Sequence, residues 1–558
     1  MVVSARQEQP VAEGLHRDAE ASMRGPSALQ LLREGRSEEF WERCCGFIDL
    51  TLDQFMTIQR RLLLEQIELL KRCPLGNQVM QGARPRGIDE FREQVPITRY
   101  ADYAPYLQEQ MEDALPEKPM FWQRTSGRSE EYVFKWVPVT ERMYRELGDV
   151  LLSVIVFASC RERGDIVLEE HDRFLYAMAP PPYASGCWSH RAAEEGIFDF
   201  LPPMDQAEKM DFEERLTQGF RLALFQGMDL LFALTGLLVV MGEQFGQGGG
   251  LGKLVPLLKN PGLLLRMVQA MVRAKIAGRQ ILPKDIWRLK MLVCFGMDTA
   301  VYREKLREMW GRYPLDVYGS TETVMIATQT WDYRDMVFIP YINFLEFVPE
   351  EDYRRMAVDQ SFQPQTYLLD EVEPNRVYGL VITNFYGGAY VRYMLGDLVT
   401  ITSLRNEALD IDIPQMQFHS RLDNVINIDG FAHNLSEATM WQAVEDSGVP
   451  YRDWLVKQGD GDRPRIRFYI EPRNGASIDT LLAAESIRLR LGELDPFYHV
   501  LERMKNVTLD VCLLPEGAFA SYMNRQRAAG ADLAHIKPPH INPSDNIVEF
   551  LMGAGSPR

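Results

Sequence analysis

The sequence predicts an α/β protein of at least two domains, a large layered one followed by a small α+β module. Three observations carry this. At 558 residues the chain exceeds what one ordinary core supports. Between Phe121 and Phe347, apolar runs of strand length alternate with helical ones, which implies strands joined by crossovers and parallel pairing. After Arg421 the pattern shortens into a compact strand-and-helix unit of ordinary small-domain size.

The first fifteen residues lack an apolar core and read as a loose tail. From Ser27 to about Lys71, residues such as Phe40, Phe47, Phe55, Leu62 and Ile67 recur at helical spacings and predict a helical lead-in. Strands are expected at YVFKWVPV, DIVLEE, RFLYAMAP and KMLVCFG, with long helices from Phe212 to Gln244 and from Pro256 to Ala277. The apolar run Leu230 to Met241 is about half of what a bilayer crossing needs. With Asp229 before it and Gly236 inside it, it reads as buried helix. Gly246 to Gly250 reads as a connector, and RVYGLVITNF and YVRYMLGDLVTIT have the composition of paired strands. Beyond Arg421 follow NVINIDGFAHN, a helix from Ser436 to Asp446, the strand RIRFYIEP, a helix from Leu481 to Leu494 and the strand VTLDVCLLP. The expected boundaries are a tail at 1–26, a large domain at 27–422 and a C-terminal domain at 423–558.

Lys plus Arg total 61 and Asp plus Glu 79, and the net charge of −18 argues against nucleic acid as a partner. The seven cysteines show no CxxC pair or zinc spacing, so a reduced, cytoplasmic setting is expected. One local basic run, Asn260 to Lys290, stands out against the acidic whole, as a solvated helix side or a docking face.

Four segments carry candidate chemistry. TSGRSEEYVFKWVPVT begins with Thr125, Ser126 and Gly127, whose hydroxyls and unobstructed backbone N–H groups suit phosphate oxygens. Arg128 and Ser129 extend the candidate contacts, whereas Glu130 and Glu131 repel phosphate, and strand alternation leaves the direction of Lys135 open. Tyr318-Gly319-Ser320-Thr321-Glu322 follows a strand, and a hydroxyl beside a carboxylate there suits a phosphate and its Mg²⁺, or else a plain helix-capping turn. Asp397, ending Arg392-Tyr393-Met394-Leu395-Gly396-Asp397, can accept both ribose hydroxyls or serve as an ordinary turn residue. Arg421 and Asp423, where the composition changes, suit a nucleotide clamp at a hinge or a surface ion pair.

Taken together, the order and spacing of these segments resemble the adenylate-forming ligase superfamily. More narrowly they resemble the Gretchen Hagen (auxin-responsive) family of acyl acid amido synthetases. FREQVPITRYADYAPYL, YINFLEFVP and PEGAFASYMNRQRAAGADLAHIKPPHI support the narrower choice, and the likeness runs from about Phe40 onward. It implies a large adenylate-forming domain with β-sheets sandwiched by helices and a small mobile C-terminal domain. It implies that Thr125, Ser126, Gly127, Arg128 and Ser129 line the triphosphate of ATP, with Tyr318, Gly319 and Ser320 forming the turn that presents Thr321 and Glu322 to the α-phosphate and Mg²⁺. Asp397 would take the ribose, Phe344 would offer a ring to adenine, Arg421 would reach in from the boundary, and Lys537 would be the tail lysine at the reacting phosphate. The implied partners are a small carboxylic acid and an amino acid amine, with coenzyme A open as the acceptor, for a monomer without a membrane span. A binding protein of the same fold that turns over poorly is the alternative raised by Glu130 and Glu131.

Overall fold

An eleven-stranded sheet organises the chain, and its two halves are built differently. The computed structural model describes residues 25–125, 135–210, 212–246, 261–295, 299–359, 361–422, 425–427, 434–459, 465–473, 475–495, 498–499, 502, 507–528, 538 and 540–553. Strands Phe198–Leu201, Asp172–Tyr176, Leu230–Leu234, Met291–Phe295 and Leu315–Tyr318 lie side by side in parallel. From Leu315–Tyr318 onward the pairing turns antiparallel, through Ala327–Gln329, Met336–Phe338, Gln415–Arg421, Tyr393–Ser403, Arg376–Asn384 and Asn343–Pro349. The strand at the change is the one that ends in Tyr318.

Helix Leu52–Leu70 begins at a Thr51/Gln54 capping box and lies on the antiparallel half. Two buried glutamines on it fix the contact: Gln59 donates to the carbonyls of Pro340 (2.6 Å) and Asn343 (2.8 Å), and Gln66 to that of Gly388 (2.9 Å). Each ties a backbone carbonyl that would otherwise be buried without a donor.

One buried polar contact joins four segments remote in sequence. Arg392, at a φ of +44°, pairs with Glu346 at 2.8 Å, their side chains 4% and 0% exposed. The same guanidinium donates to Thr366 Oγ1 and to the carbonyls of Arg92 and Val95. Every donor direction of the fork therefore meets an acceptor, which is what makes a buried cation tolerable.

Beyond the sheet, Tyr451–Gly459, Arg465–Pro472 and Thr508–Leu513 form a separate three-stranded sheet. Helices Glu437–Asp446 and Thr480–Leu494 pack with it over Trp454, Phe468, Ile487 and Leu491. This module meets helix Thr299–Trp310, where Trp441 Nε1 donates to Tyr302 Oη at 2.8 Å and the hydroxyls of Tyr302 and Tyr451 lie 3.1 Å apart.

The α/β class with an α+β module is the one expected, with corrections in detail. Leu230–Leu234 is an inner strand of the parallel half and Thr235–Gly246 a separate helix, so the single helix expected from Phe212 to Gln244 is divided. Gly227, at φ +99°, ends the helix Phe212–Gln226. DIVLEE lies outside the sheet, where Leu168 is buried while Glu169 and Glu170 pair with Lys290 and Arg33. Trp136–Val139 pairs antiparallel with Phe121–Arg124 in a sheet of their own and takes no part in the parallel array. Tyr451–Gly459 and Gln415–Arg421 are strands that the sequence pattern did not announce. Residues 247–250 and 256–260 of the expected connector and helix lie outside the described residues.

Replacing Arg392 with Met strands the Glu346 carboxylate. Urea denaturation of Arg392→Met is expected to show a loss of about 3–5 kcal/mol. Replacing Glu346 with Leu in the same chain should recover a large part of it.

Candidate active site

The turn after Leu315–Tyr318 is set by backbone crowding. A Cβ on Gly319 would lie 2.1 Å from the Val324 carbonyl oxygen, so only glycine fits there. The Ser320 N–H donates to Thr323 Oγ1 at 3.0 Å, and the Thr323 N–H to Ser320 Oγ at 3.3 Å, which closes the turn locally. Three amides hold it from outside. Gln123 donates to the Thr321 carbonyl (2.9 Å), Asn384 to that of Glu322 (3.0 Å) and Asn343 to that of Thr323 (2.8 Å). Asn384 also donates to Asn343 Oδ1 at 2.9 Å. Sequence reading missed these amides, because nothing in their local pattern distinguishes them from other strand residues.

Thr321 is half-buried and Glu322 buried. Lys135 Nζ stands 3.5 Å from Glu322 Oε1 and 3.3 Å from the Tyr393 hydroxyl, over the Tyr100 ring. Strand alternation alone had left its direction open; the structure turns it toward the Glu322 turn. Thr125 and Lys135 close the neck of the loop between them: the Thr125 N–H donates to the Lys135 carbonyl (3.0 Å) and the Lys135 N–H to Thr125 Oγ1 (3.2 Å). Ser126, Gly127, Arg128 and Ser129 lie outside the described residues, as do Asp423 and Lys537.

Asp397 faces the same turn from the antiparallel half. Its Oδ2 accepts from the Tyr318 hydroxyl at 2.9 Å, and its Oδ1 lies 3.2 Å from Arg421 Nε. Burial raises its carboxyl above the usual range and Glu322 adds to the rise, while Arg421 and the Tyr318 hydroxyl oppose it. Burial also holds the Tyr318 phenol well above its ordinary value, with Asp397 adding to the effect. Gly396, at φ +86°, makes the approach: its N–H donates to the Tyr353 hydroxyl (2.8 Å), and its carbonyl accepts from the Leu422 N–H (2.8 Å).

Thr125, Tyr318, Gly319, Ser320, Thr321, Glu322, Asp397 and Arg421 thus surround one region at the change from parallel to antiparallel pairing, joined by Lys135. Phe344 does not join them. It is 0% exposed within the core, which leaves no face of its ring to a ligand and corrects the expectation of an adenine contact.

Past Lys537 the tail is anchored in the C-terminal module. The His540 carbonyl accepts from the Val456 N–H, and Ile541 bridges Val456 in parallel. The His540 ring is buried, stacks on Trp454 and lies between Glu437 Oε1 (3.0 Å) and Asp453 Oδ1 (3.1 Å). Burial alone would lower its pKa, but the hydrogen bonds to Asp453 and Glu437 outweigh it and push it up to about 10.

A large sheet of this build with a small C-terminal α+β module is shared by two solved structures. An acyl acid amido synthetase, AtGH3.15 in complex with 2,4-DB, superposes with a TM-score of 0.66 at 16% identity, over 91% of this chain and 95% of that one. A 2-hydroxyisobutyryl-CoA ligase in its postadenylation state superposes with a TM-score of 0.55 at 12% identity, over 86% and 93%. In sequence, residues 45–169 match the GH3 family N-terminal domain and residues 336–421 the GH3 family central domain. A jasmonoyl-L-amino acid synthetase, GH3.5 of Oryza sativa subsp. japonica, is 25% identical over 270 residues, a match spanning 44% of either chain. Two stretches of the chain thus match domains of the GH3 family.

A His whose folded pKa is raised contributes stability that is fully present below its ordinary value of about 6.5. That contribution is lost as the pH climbs through about 10. Hydrogen exchange at the Val456 amide, corrected for intrinsic rate, is expected to lose protection between those limits. His540→Gln should abolish most of that pH dependence.

Proposed function

We propose that this protein is an ATP-dependent ligase that activates a carboxylic acid as an acyl adenylate and passes the acyl group to an amino acid amine. The observation that carries this reading is the convergence of Thr125 and Lys135, Thr321 and Glu322, and Asp397 with Arg421 on one region at the switch in the sheet. In open α/β sheets ligands bind outside the carboxyl ends of the parallel strands, and Tyr318 ends one such strand. The two GH3 domain matches and the names of the similar proteins support an amide as the product.

A carboxylate is a poor electrophile, so the acid oxygen first attacks the α-phosphate of ATP and pyrophosphate leaves. The amine then adds to the activated carbonyl and AMP departs, leaving an amide. Asp397 keeps lone pairs for ribose hydroxyls beyond those engaged by Tyr318 and Arg421. Lys135 and Arg421 set positive charge against the phosphates, and Thr321 offers a hydroxyl. Mg²⁺ would neutralise phosphate charge, with Glu322 as its carboxylate ligand; this ion commonly takes one or two carboxylates and fills its shell with phosphate oxygens and water. Among the described residues no group of three or more His, Cys, Asp or Glu could hold a metal, which fits a metal carried in with the nucleotide. Lys537, which falls in the chain between helices Ala518–Ala528 and Asp545–Leu551, would act at the reacting phosphate when that module closes.

Acid-dependent exchange of labelled pyrophosphate into ATP tests adenylation, and amino acids or coenzyme A added afterwards identify the acceptor. Exchange with a carboxylic acid, followed by amide formation, is the expected result. Binding of ATP without exchange across a broad acid library would overturn the ligase. Lys135→Met is expected to lower kcat/KM for exchange about 10²-fold. Lys537→Ala should lower it as well, with little movement of the denaturation midpoint.

A further inference from the structure

Helix Pro261–Ile276 carries apolar residues on two opposite sides. Leu263, Met267, Ala270 and Ala274 are buried in the core shared with Leu224, Trp287 and Leu292. Leu264, Leu265, Val268, Met271, Val272 and Ile276 are exposed, Leu265 by 59% and Ile276 by 82%. At about 100° and 1.5 Å per residue, these six fall within one outward arc of about 140° along about 18 Å of helix. Single exposed apolar residues are ordinary, but a continuous stripe marks an interaction surface.

The charge around the stripe names the partner. Residues 261–284 hold Arg266, Arg273, Lys275, Arg279 and Lys284 and no Asp or Glu, in a chain of net charge −18. Arg266 and Arg279 turn inward, to the Leu224 carbonyl (2.9 Å) and to Asp285 (2.6 Å). Lys275 is exposed within the stripe, and Arg273 is exposed at its border, with one guanidinium nitrogen on the Asp285 carbonyl (3.0 Å). The surface is thus apolar along its centre, with Lys275 within it and Arg273 at its border, while Lys284 lies beside Glu304 and Glu308 of the neighbouring helix.

We propose that this helix docks on an anionic lipid bilayer, lying in the plane of the interface. The acyl boundary receives the leucine, valine, methionine and isoleucine side chains, and the headgroups meet Lys275, Arg273 and Lys284. A second copy of the chain fits less well. A two-fold dimer sets the same patch against itself, so these cations would face one another with no carboxylate from 261–284 to answer them. A bilayer supplies apolar and anionic layers together and needs no matched groove.

Flotation of the full chain with vesicles tests this, comparing phosphatidylglycerol mixed into phosphatidylcholine with phosphatidylcholine alone. The protein is expected to float with the anionic vesicles at low salt and to be released as salt rises. Leu265→Glu with Val272→Glu should lower the partition about tenfold or more, and Lys275→Gln about fivefold. Both variants alter exposed side chains, so far-UV circular dichroism and acid-dependent exchange should stay at native levels. Three outcomes would overturn the proposal: absence of flotation, equal flotation with neutral vesicles, or a dimer in light scattering that the double variant dissolves.

Discussion

The site depends on a buried ion pair that touches no ligand. Arg392 sits at the turn into strand Tyr393–Ser403, Glu346 on strand Asn343–Pro349, and the carbonyls of Arg92 and Val95 at the end of a helix far earlier in the chain. A guanidinium removed from water is tolerable only when nearly every N–H finds an acceptor in the right plane. The three segments therefore have one good mutual arrangement, and small departures leave a charge unanswered. Four residues on, Gly396 brings Asp397 to Tyr318 and Arg421. The placement of the candidate ribose carboxylate is thus inherited from a contact buried deep beneath it.

The charges of the site are arranged in opposed pairs. Glu322 has Lys135, and Asp397 has Arg421 and the Tyr318 hydroxyl. Burial raises the cost of ionising Asp397, and the Glu322 carboxylate adds to that rise. Cations beside them offset that cost.

Much of this was legible in the sequence, and the failures share a cause. The turn at Tyr318 to Glu322, Asp397 and Arg421 were readable because glycine and charged residues at strand ends are locally distinctive. Leu230–Leu234 was read as helix because an inner parallel strand is apolar on both faces, so no alternation separates it from buried helix. Phe344 was misread for the opposite reason: a motif position says which residue is present and not which face of a fully buried strand it occupies. Asn343, Asn384 and Gln123 act through carbonyls remote in sequence, and Lys135 required the sheet's geometry to bring it to Glu322.

The C-terminal module is held within itself by one kind of force and to the rest of the chain by another. Inside it, Trp454, Phe468, Ile487 and Leu491 exclude water, and the His540 imidazolium between two carboxylates fixes the tail against Val456. Its contact with helix Thr299–Trp310 runs through the Trp441 indole N–H, the hydroxyls of Tyr302 and Tyr451, and Lys305 facing Glu445 at 3.8 Å. Hydrogen bonds of this sort contribute about 0.5–1.5 kcal/mol each, because water takes up the same donors and acceptors on separation. Dismantling the module's core would instead expose several large apolar side chains at about 1.5–3 kcal/mol apiece. Breaking those hydrogen bonds therefore costs less than dismantling the module's core.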